Sequence, residues 1–413
     1  MSDPAAQPEA EPRPGALTRD GFPTQVAWHE DLLEYDFGPH HPMSPARLDL
    51  TARLCRDLGL FGLPWVDVVA PHVATDDELA TVHTRDYIAV VRRVSENPAE
   101  PAPESGLGTE DDPVFAGMHE ASARIVGASL EAADAVLAGT ALHAVNFAGG
   151  MHHAAADRGS GFCIYNDAAA AVQRLLDRGV SRVAYIDIDA HHGDGTERIF
   201  WDDPRVLTVS VHESGLTLFP GTGFPAETGG PHAPGTAVNV ALPAGTRDAG
   251  WLRAFHAVVP PLVEAFRPEV IVSQHGCDSH HLDPLTNLAV TIDAQREAAL
   301  SISSLARRHC AGRWVATGGG GYAVFDAVPL SWAHLVGIAA GRPVALTAPT
   351  PGPWREYVRE RYGRQAPVLM GEGADTWWRS WEIGVNPNDP VDRAIMATRK
   401  EVFPFHGLDP WFD

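Results

Sequence analysis

The strongest constraint on the fold is a repeated alternation between helical and strand-like segments along most of the chain. Apolar residues recur at helical spacing in GMHEASARIVGASLEAADAVLAG, NDAAAAVQRLLDRG, WLRAFHAVVPPLVEAF and TIDAQREAALSISSLARRHC. Each of these segments precedes a short apolar run, namely ALHAVNF, RVAYIDID, EVIVSQ and RWVAT, and RVLTVSV is a further run of this kind. Short strands without polar alternation are typical of parallel sheets that are covered on both sides. The pattern therefore predicts an α/β fold, with a central, mostly parallel sheet and helices on both faces.

Three regions follow from the composition along the chain. Residues 1–20 are rich in Pro, Ala and Glu and are predicted to be a disordered tail. Residues 21–345 contain the alternating segments and form the predicted main domain. Residues 346–413 begin with Pro-rich sequence and are rich in tryptophan, so we expect this extension to pack on the domain or on a partner subunit.

Charge and cysteine content exclude several classes of protein. The net charge of -22 argues against nucleic-acid binding, which needs clustered Lys and Arg, and favours cationic partners if any. Four scattered cysteines without a CxxC pair argue against a disulfide framework and against a thiolate zinc site. Since the sequence lacks a long apolar run, we expect a cytoplasmic protein that does not bind membranes.

Polar clusters follow five of the predicted strands. They are NFAGGMHHAAADRGSGFCIYND, DIDAHHGDG, VHESG, QHGCDSHHLDP and TGGGGY. Sites in open parallel sheets form beyond the carboxyl ends of the strands, so these clusters are expected to meet in space.

The cluster DIDAHHGDG predicts a metal site. Alternate residues of a strand share one face, so Asp189 and His191 can bind the same ion, and Asp278 is the best candidate for a third ligand. A simple strand-to-helix turn is the alternative, because Asp and Gly are common in turns. Two carboxylates and one imidazole suit Zn²⁺, and also Fe²⁺, Mn²⁺ or Co²⁺.

The paired histidines of GGMHHA, His152 and His153, favour general acid/base chemistry over a purely structural role. Asp187 and Asp194 are natural partners that would fix the imidazole tautomers.

Aromatic residues in the glycine-rich loops suggest a substrate slot. The hydroxyl of Tyr322, after the run of glycines, could stabilise an oxyanion, although a packed loop tyrosine is an equal alternative. Phe162 and Phe219 could face each other across a slot for an extended apolar side chain, whereas each alone is more typical of a core residue.

Taken together, these motifs resemble those of the zinc-dependent histone deacetylase superfamily. GGMHHA, GFCIYND, DIDAHHGDG, FPGTG and GGGGY occur in the same order, and the resemblance is closest to the bacterial acetoin-utilisation-type deacetylases. It implies the arginase-deacetylase fold and metal-dependent removal of an acetyl or other short acyl group from the ε-amine of lysine.

The resemblance also implies a role for each matching residue. Asp189, His191 and Asp278 would bind the catalytic Zn²⁺, while His152, His153, Asp187, Asp194 and Tyr322 would be catalytic. The residues assigned to substrate binding are Asp111, Gly161, Phe162, Phe219 and Leu285, with Asp112 as the neighbouring alternative to Asp111. A structural K⁺ would lie near Asp187, Asp189, His191, Ser210 and Val211.

Two departures from the family pattern leave the preference for acyl group and peptide sequence open. His280 and His281 follow Asp278 where many relatives have other residues, and Leu218 replaces an aromatic residue found in eukaryotic relatives. The expected partner is an acyl-lysine protein or peptide, such as an acyl-CoA synthetase, while the oligomeric state stays open. An acetylpolyamine amidohydrolase and a non-catalytic acetyl-lysine binding module are the alternatives, and a binuclear ureohydrolase is disfavoured because His280 stands where a further aspartate is needed.

Overall fold

The structure is a computed structural model that describes residues 21–413. The predicted tail, residues 1–20, lies outside the described residues.

Eight parallel strands form one sheet in the described part of the chain. The strands are β1 (Thr24–Ala27), β2 (Val66–Val69), β3 (His143–Asn146), β4 (Val183–Asp187), β5 (Val206–Glu213), β6 (Ala237–Leu242), β7 (Val270–Gln274) and β8 (Trp314–Thr317). Their order across the sheet is β2-β1-β3-β8-β7-β4-β5-β6, and every pair is parallel. This confirms the predicted α/β class and the arginase-deacetylase architecture.

Helices cover the two faces of the sheet in two packed groups. The helices are α1 (Ala46–Asp57), α2 (Asp76–Leu79), α3 (Arg85–Glu96), α4 (Met118–Ala138), α5 (Asp167–Asp177), α6 (Asp194–Ile199), α7 (Asp248–Phe266), α8 (Ile292–His309), α9 (Val328–Ala339), α10 (Gly352–Tyr362) and α11 (Pro390–Val402). One group contains α4 and α5, and the other runs through α1, α9, α8 and α7. Because α4 and α9 both contact β3, the two groups lie on opposite sides of that strand.

Three strands were not predicted from the sequence. β1 and β2 are only four residues long, and β2 is incompletely buried, so neither produces the strong apolar run that marks β4 or β7. The third, β6, pairs with β5 as far as Glu213 and Leu242. This pairing corrects one prediction, because the polar residues of VHESG do not follow β5: His212 and Glu213 are buried inside it.

Strand β4 places its last residue between two neighbouring strands at the carboxyl edge of the sheet. Asp187 is paired in register with Gln274 of β7 on one side and with Ser210 of β5 on the other. The loops that leave β4 and β7 therefore start side by side. This is the position from which the predicted metal ligands extend.

The C-terminal extension contacts the domain through α11, which packs on β6 and α7. Arg253 of α7 forms a buried ion pair with Asp392 of α11, with 3.0 Å between Nη2 and Oδ2. The same guanidinium donates hydrogen bonds to the carbonyls of Arg379, Ser380 and Gly384. The buried guanidinium of Arg253 thus binds both residues 379–384 and α11 of the extension to the domain.

Among residues 21–413, none of the helices has the length and apolarity needed to cross a bilayer.

We expect Asp392→Ala to lower the free energy of unfolding by about 3–5 kcal/mol, because it leaves the Arg253 guanidinium buried without its counter-charge. Urea denaturation monitored by tryptophan fluorescence measures this change. Arg359→Ala is the control, since Arg359 and Glu356 form a pair that is more than half exposed and should change stability by about 0.5 kcal/mol or less. An equal effect of the two substitutions would contradict the anchoring role of the buried pair.

Candidate active site

A channel of about 210 Å³ opens at the carboxyl edge of the sheet. Its lining contains residues from three of the polar clusters, residues that follow the other two clusters in the chain, and one residue of the loop before α4: Asp111, His153, Gly161, Phe162, His191, Leu218, Phe219, Leu285 and Tyr322. The convergence predicted from the strand ends is therefore present in the fold.

Three potential metal ligands come together beneath the channel. Nδ1 of His191 lies 3.1 Å from Oδ1 of Asp189 and 2.9 Å from Oδ2 of Asp278. The two carboxylate side chains are fully buried. Asp189 and His191 leave β4 together, whereas Asp278 arrives from the loop after β7, as the sequence predicted.

The charge balance of this cluster fits a bound cation. Burial, together with the nearby charge of Asp189, raises the pKa of Asp278 to about 7. Two adjacent buried carboxylates are costly unless a cation or a set of hydrogen bonds compensates them. Gln274 and the Gly320 N–H donate to Asp189 at 2.7 and 2.9 Å, and the Ala190 N–H donates to Asp278 at 2.8 Å, while each carboxylate keeps an oxygen near His191. One imidazole and two oxygen donors, held in place by hydrogen bonds, are a suitable set for Zn²⁺ or a similar divalent metal.

Glycines let the backbone pass this close to the carboxylates. A Cβ at Gly320 would lie 2.0 Å from Oδ2 of Asp278, and one at Gly276 would lie 1.8 Å from Oδ2 of Asp189. A side chain is therefore excluded at both positions, and glycine permits the close approach.

Two histidine–aspartate pairs lie next to the metal cluster. His152 Nδ1 lies 2.8 Å from Oδ2 of Asp187, and His153 Nδ1 lies 2.8 Å from Oδ1 of Asp194. The Nε2 atoms of the two histidines are 3.1 Å apart. Each carboxylate accepts a hydrogen bond from the Nδ1–H of its histidine, and both Nε2 atoms are directed toward the same space.

The two imidazoles differ in charge. Burial alone would lower the pKa of His152, but the carboxylates of Asp187 and Asp189 outweigh it and raise that pKa to about 9. Burial and the positive charge of His152 lower the pKa of His153 to about 4, against the opposing effect of Asp194. With these pKa values, His152 is protonated near neutral pH. The channel-lining His153 is neutral there and able to accept a proton.

Tyr322 faces the channel with a hydroxyl that has no hydrogen-bond partner among the described residues. Its N–H donates to Oδ2 of Asp283 at 2.7 Å, and Asp283 also accepts from the Leu285 N–H at 3.0 Å. The ring meets Phe162 edge-to-face with 5.7 Å between centroids. The phenol is thus held through its backbone and its ring, and its hydroxyl is left free for a ligand.

The channel mouth distinguishes Asp111 from its neighbour. Asp111 is exposed and lines the channel, while His41 Nε2 lies 3.0 Å from its carbonyl. Asp112 is 2 % exposed, and burial together with the charge of Asp111 raises its pKa to about 8. Only Asp111 is placed to meet a substrate.

The remaining aromatic residues form the channel walls. Phe219 lies edge-to-face with His153 at 5.1 Å between centroids and is 44 % exposed, so it is not a core residue. Phe162 has a φ of 69°, a left-handed backbone conformation that is uncommon for a residue other than glycine. Its ring contacts that of Tyr322.

The predicted potassium residues lie close to the end of β4, where Asp187 is paired with Ser210 inside β5, and Val211 follows Ser210 in that strand. Their role in binding K⁺ stays a prediction. His192, the neighbour of His191, is buried outside the channel lining, and its Nδ1 lies 2.9 Å from the Thr222 hydroxyl.

Sequence reasoning missed Gln274 and Asp283, which hold the ligand Asp189 and the backbone of Tyr322. Gln274 ends an apolar strand just before the HGCD motif, a position that could have indicated a contact with the site. Asp283 gives no comparable signal, because its DP dipeptide is also typical of a simple turn.

We expect Asp278→Asn to weaken zinc binding at least about 100-fold, because it removes a charged ligand while keeping its shape. Metal content after dialysis, measured by plasma mass spectrometry, provides the test. Asp326→Asn, in a residue outside the cluster, is the control. A variant that retained full zinc content would rule out Asp278 as a ligand.

Comparison with known proteins agrees with this geometry. The histone deacetylase domain model matches residues 41–339. The acetoin utilization protein AcuC of Bacillus subtilis is 46% identical over 380 residues, which cover 89% of this chain and 95% of that protein. AcuC of Staphylococcus xylosus is 40% identical over 317 residues, or 76% of this chain and 81% of that protein. The chain therefore belongs to the histone deacetylase family and is an AcuC-like deacetylase.

Proposed function

We propose that this deacetylase removes an acetyl or another short acyl group from the ε-amine of lysine in proteins. The reaction depends on a divalent metal, for which Zn²⁺ is the preferred candidate and Fe²⁺ or Co²⁺ are the alternatives. One observation carries the proposal. A candidate metal cluster, two histidine–aspartate pairs and a free tyrosine hydroxyl all lie at one narrow channel with apolar walls.

The chemistry begins with water and the amide carbonyl at the channel floor. Asp189, His191 and Asp278 would hold a divalent metal, which when bound would supply Lewis acidity to polarise the carbonyl and acidify the water. His153, which is neutral and channel-facing, accepts the proton as water attacks the carbonyl carbon. The Tyr322 hydroxyl donates a hydrogen bond to the oxygen on which negative charge develops.

Collapse of the tetrahedral intermediate requires a proton on the leaving nitrogen. His153 gains a proton in the first step, and Asp194 stabilises the resulting imidazolium from 2.8 Å. His152 carries a positive charge beside it, which favours the return of that proton to the substrate. The lysine amine and the carboxylate product can then leave.

The channel walls favour a lysine side chain. Phe162 and Phe219 flank the passage and provide apolar contact for four methylene groups. At the mouth, the exposed carboxylate of Asp111 can accept backbone N–H groups of a peptide on either side of the modified lysine. A protein such as an acyl-CoA synthetase is a suitable substrate, and a structural K⁺ beside Asp187 remains part of the proposal.

An acetylpolyamine substrate is the second candidate, because the net charge of -22 would attract a polycation. The channel mouth favours the peptide, since Leu285 is apolar and Asp111 is the one carboxylate that lines the channel within residues 21–413. A long polyamine would need further anionic contacts for its distal amines.

We expect Tyr322→Phe to lower kcat for an acetyl-lysine peptide about 10²- to 10³-fold, because the developing oxyanion loses a hydrogen-bond donor. KM should change much less, as the phenyl ring still lines the channel. Steady-state kinetics of the zinc-loaded enzyme measures both values. Tyr357→Phe is the matched control, because its hydroxyl donates to Asp49 and not into the channel. Unchanged turnover of Tyr322→Phe at full zinc content would overturn the assignment.

We expect Asp111→Asn to lower kcat/KM for the acetyl-lysine peptide by roughly tenfold or more, because charge-assisted hydrogen bonds to the peptide backbone are weakened. Acetylspermidine, which has no peptide backbone, should be affected less. Assays of both substrates with wild-type enzyme and variant provide the comparison. A preference of the wild-type enzyme for acetylspermidine would instead identify a polyamine amidohydrolase.

A further inference from the structure

A second group of potential metal ligands lies on the loop that follows β7. It consists of His280, His281 and Glu372, and is separate from the cluster of Asp189, His191 and Asp278. His280 Nε2 lies 3.1 and 3.2 Å from the two carboxylate oxygens of Glu372, and His281 Nδ1 lies 3.8 Å from Oε1. Donor atoms from all three side chains lie within 4.8 Å of one another.

These separations are close to those expected around a tetrahedral ion. With metal–ligand distances near 2.1 Å, the donor atoms of a tetrahedral zinc site are about 3.4 Å apart. The distances from Oε1 of Glu372, 3.2 Å to Nε2 of His280 and 3.8 Å to Nδ1 of His281, lie on either side of this value. Little movement of the side chains would be needed to admit a cation.

The His281 side chain is available for this purpose. It is 39% exposed and forms no hydrogen bond within the described residues; its one polar contact is the 3.8 Å approach to Glu372. By contrast, the His280 imidazole is fully buried, and Glu372 is held in place by the Ile292 N–H at 2.8 Å. Two of the three donors are thus positioned by the fold, and the third reaches them from solvent.

We propose that His280, His281 and Glu372 form a second divalent-cation site, of the zinc class, that is filled in addition to the catalytic centre. Two imidazoles and a carboxylate favour Zn²⁺, Co²⁺ or Ni²⁺ over Mg²⁺ and Ca²⁺, which prefer oxygen ligands. A fourth position stays open to water because His281 and Glu372 are at the surface. The site joins the C-terminal extension, through Glu372, to the loop that carries Asp278 and Leu285.

Occupancy of this site would act on the loop below it. His280 Nδ1 accepts the Leu282 N–H at 3.2 Å, so Nε2 carries the ring hydrogen that faces Glu372. When a cation binds Nε2, the proton on Nε2 is released and Nδ1 takes up a proton, so Nδ1 no longer accepts the Leu282 N–H. The His280 carbonyl also accepts the Asp283 N–H, and Asp283 holds the Tyr322 N–H. Filling the site therefore disturbs the support of Tyr322 and lowers turnover, a consequence that rests on the proposed function.

Zinc binding to the holoenzyme tests the site independently of any activity. The enzyme is loaded with one equivalent of Zn²⁺ and then titrated with further Zn²⁺ against a chromophoric chelator. We expect the wild-type protein to bind a second equivalent, and His281→Ala and Glu372→Gln to bind it at least about tenfold more weakly. Mg²⁺ should not compete.

Matched controls are available on the surface. His232→Ala removes an exposed histidine outside the cluster, and Glu360→Gln removes an exposed glutamate of α10. Both should bind the second equivalent as the wild-type protein does. His281→Ala is the most informative variant, because it leaves the hydrogen bonds of His280 and Glu372 in place. Binding of only one equivalent by the wild-type protein, or an unchanged second equivalent in His281→Ala, would overturn the site.

Turnover under added Zn²⁺ tests the coupling to Tyr322. We expect the concentration of Zn²⁺ that halves turnover to be at least about tenfold higher in His281→Ala than in the wild-type enzyme. Equal inhibition of the two proteins would overturn the coupling. If neither protein has deacetylase activity, the proposed function fails, and the second equivalent of zinc is still decided by the titration.

Discussion

Asp189 and Asp278 place two carboxylates side by side in the protein interior, and the arrangement around the site follows from this electrostatic constraint. Neighbouring buried negative charges are stable only if cations or hydrogen-bond donors surround them. The fold supplies donors from Gln274 and from backbone N–H groups, and it directs His191 at both carboxylates. The remaining negative charge is best compensated by a divalent metal.

The same constraint shapes the neighbouring loops and histidines. Backbone can approach the carboxylates only where there is no side chain, which accounts for Gly276 and Gly320. The negative charge of the carboxylates also makes the pKa values of the two histidines of GGMHHA differ. The pKa of His152 is raised by the carboxylates, whereas burial and the charge of His152 lower the pKa of His153. Adjacent residues of one type thereby reach different charge states, as acid/base catalysis requires.

Much of the fold and of the candidate site was accessible from the sequence, because their signals are local. The alternation of helices with buried strands predicted the parallel sheet, and polar clusters at strand ends predicted where Asp189, His191 and Asp278 would meet. Strands β1, β2 and β6 were missed, since short or partly exposed strands lack a strong apolar run. Contacts between distant segments were also not predictable. The C-terminal extension contacts the loop after β7 through Glu372 and His280, which are 92 residues apart in the chain.

By itself, the sequence indicated the fold class through local periodicity and the family through the resemblance of its ordered motifs. Side-chain chemistry indicated which residues could bind a metal or transfer a proton. Tertiary structure alone decided which of two adjacent aspartates faces the channel, which histidine is neutral, and that Asp283 supports Tyr322. These properties depend on burial and on distances between segments far apart in the chain. Asp111 and Asp112 have the same chemistry and neighbouring positions, and only their solvent exposure distinguishes them.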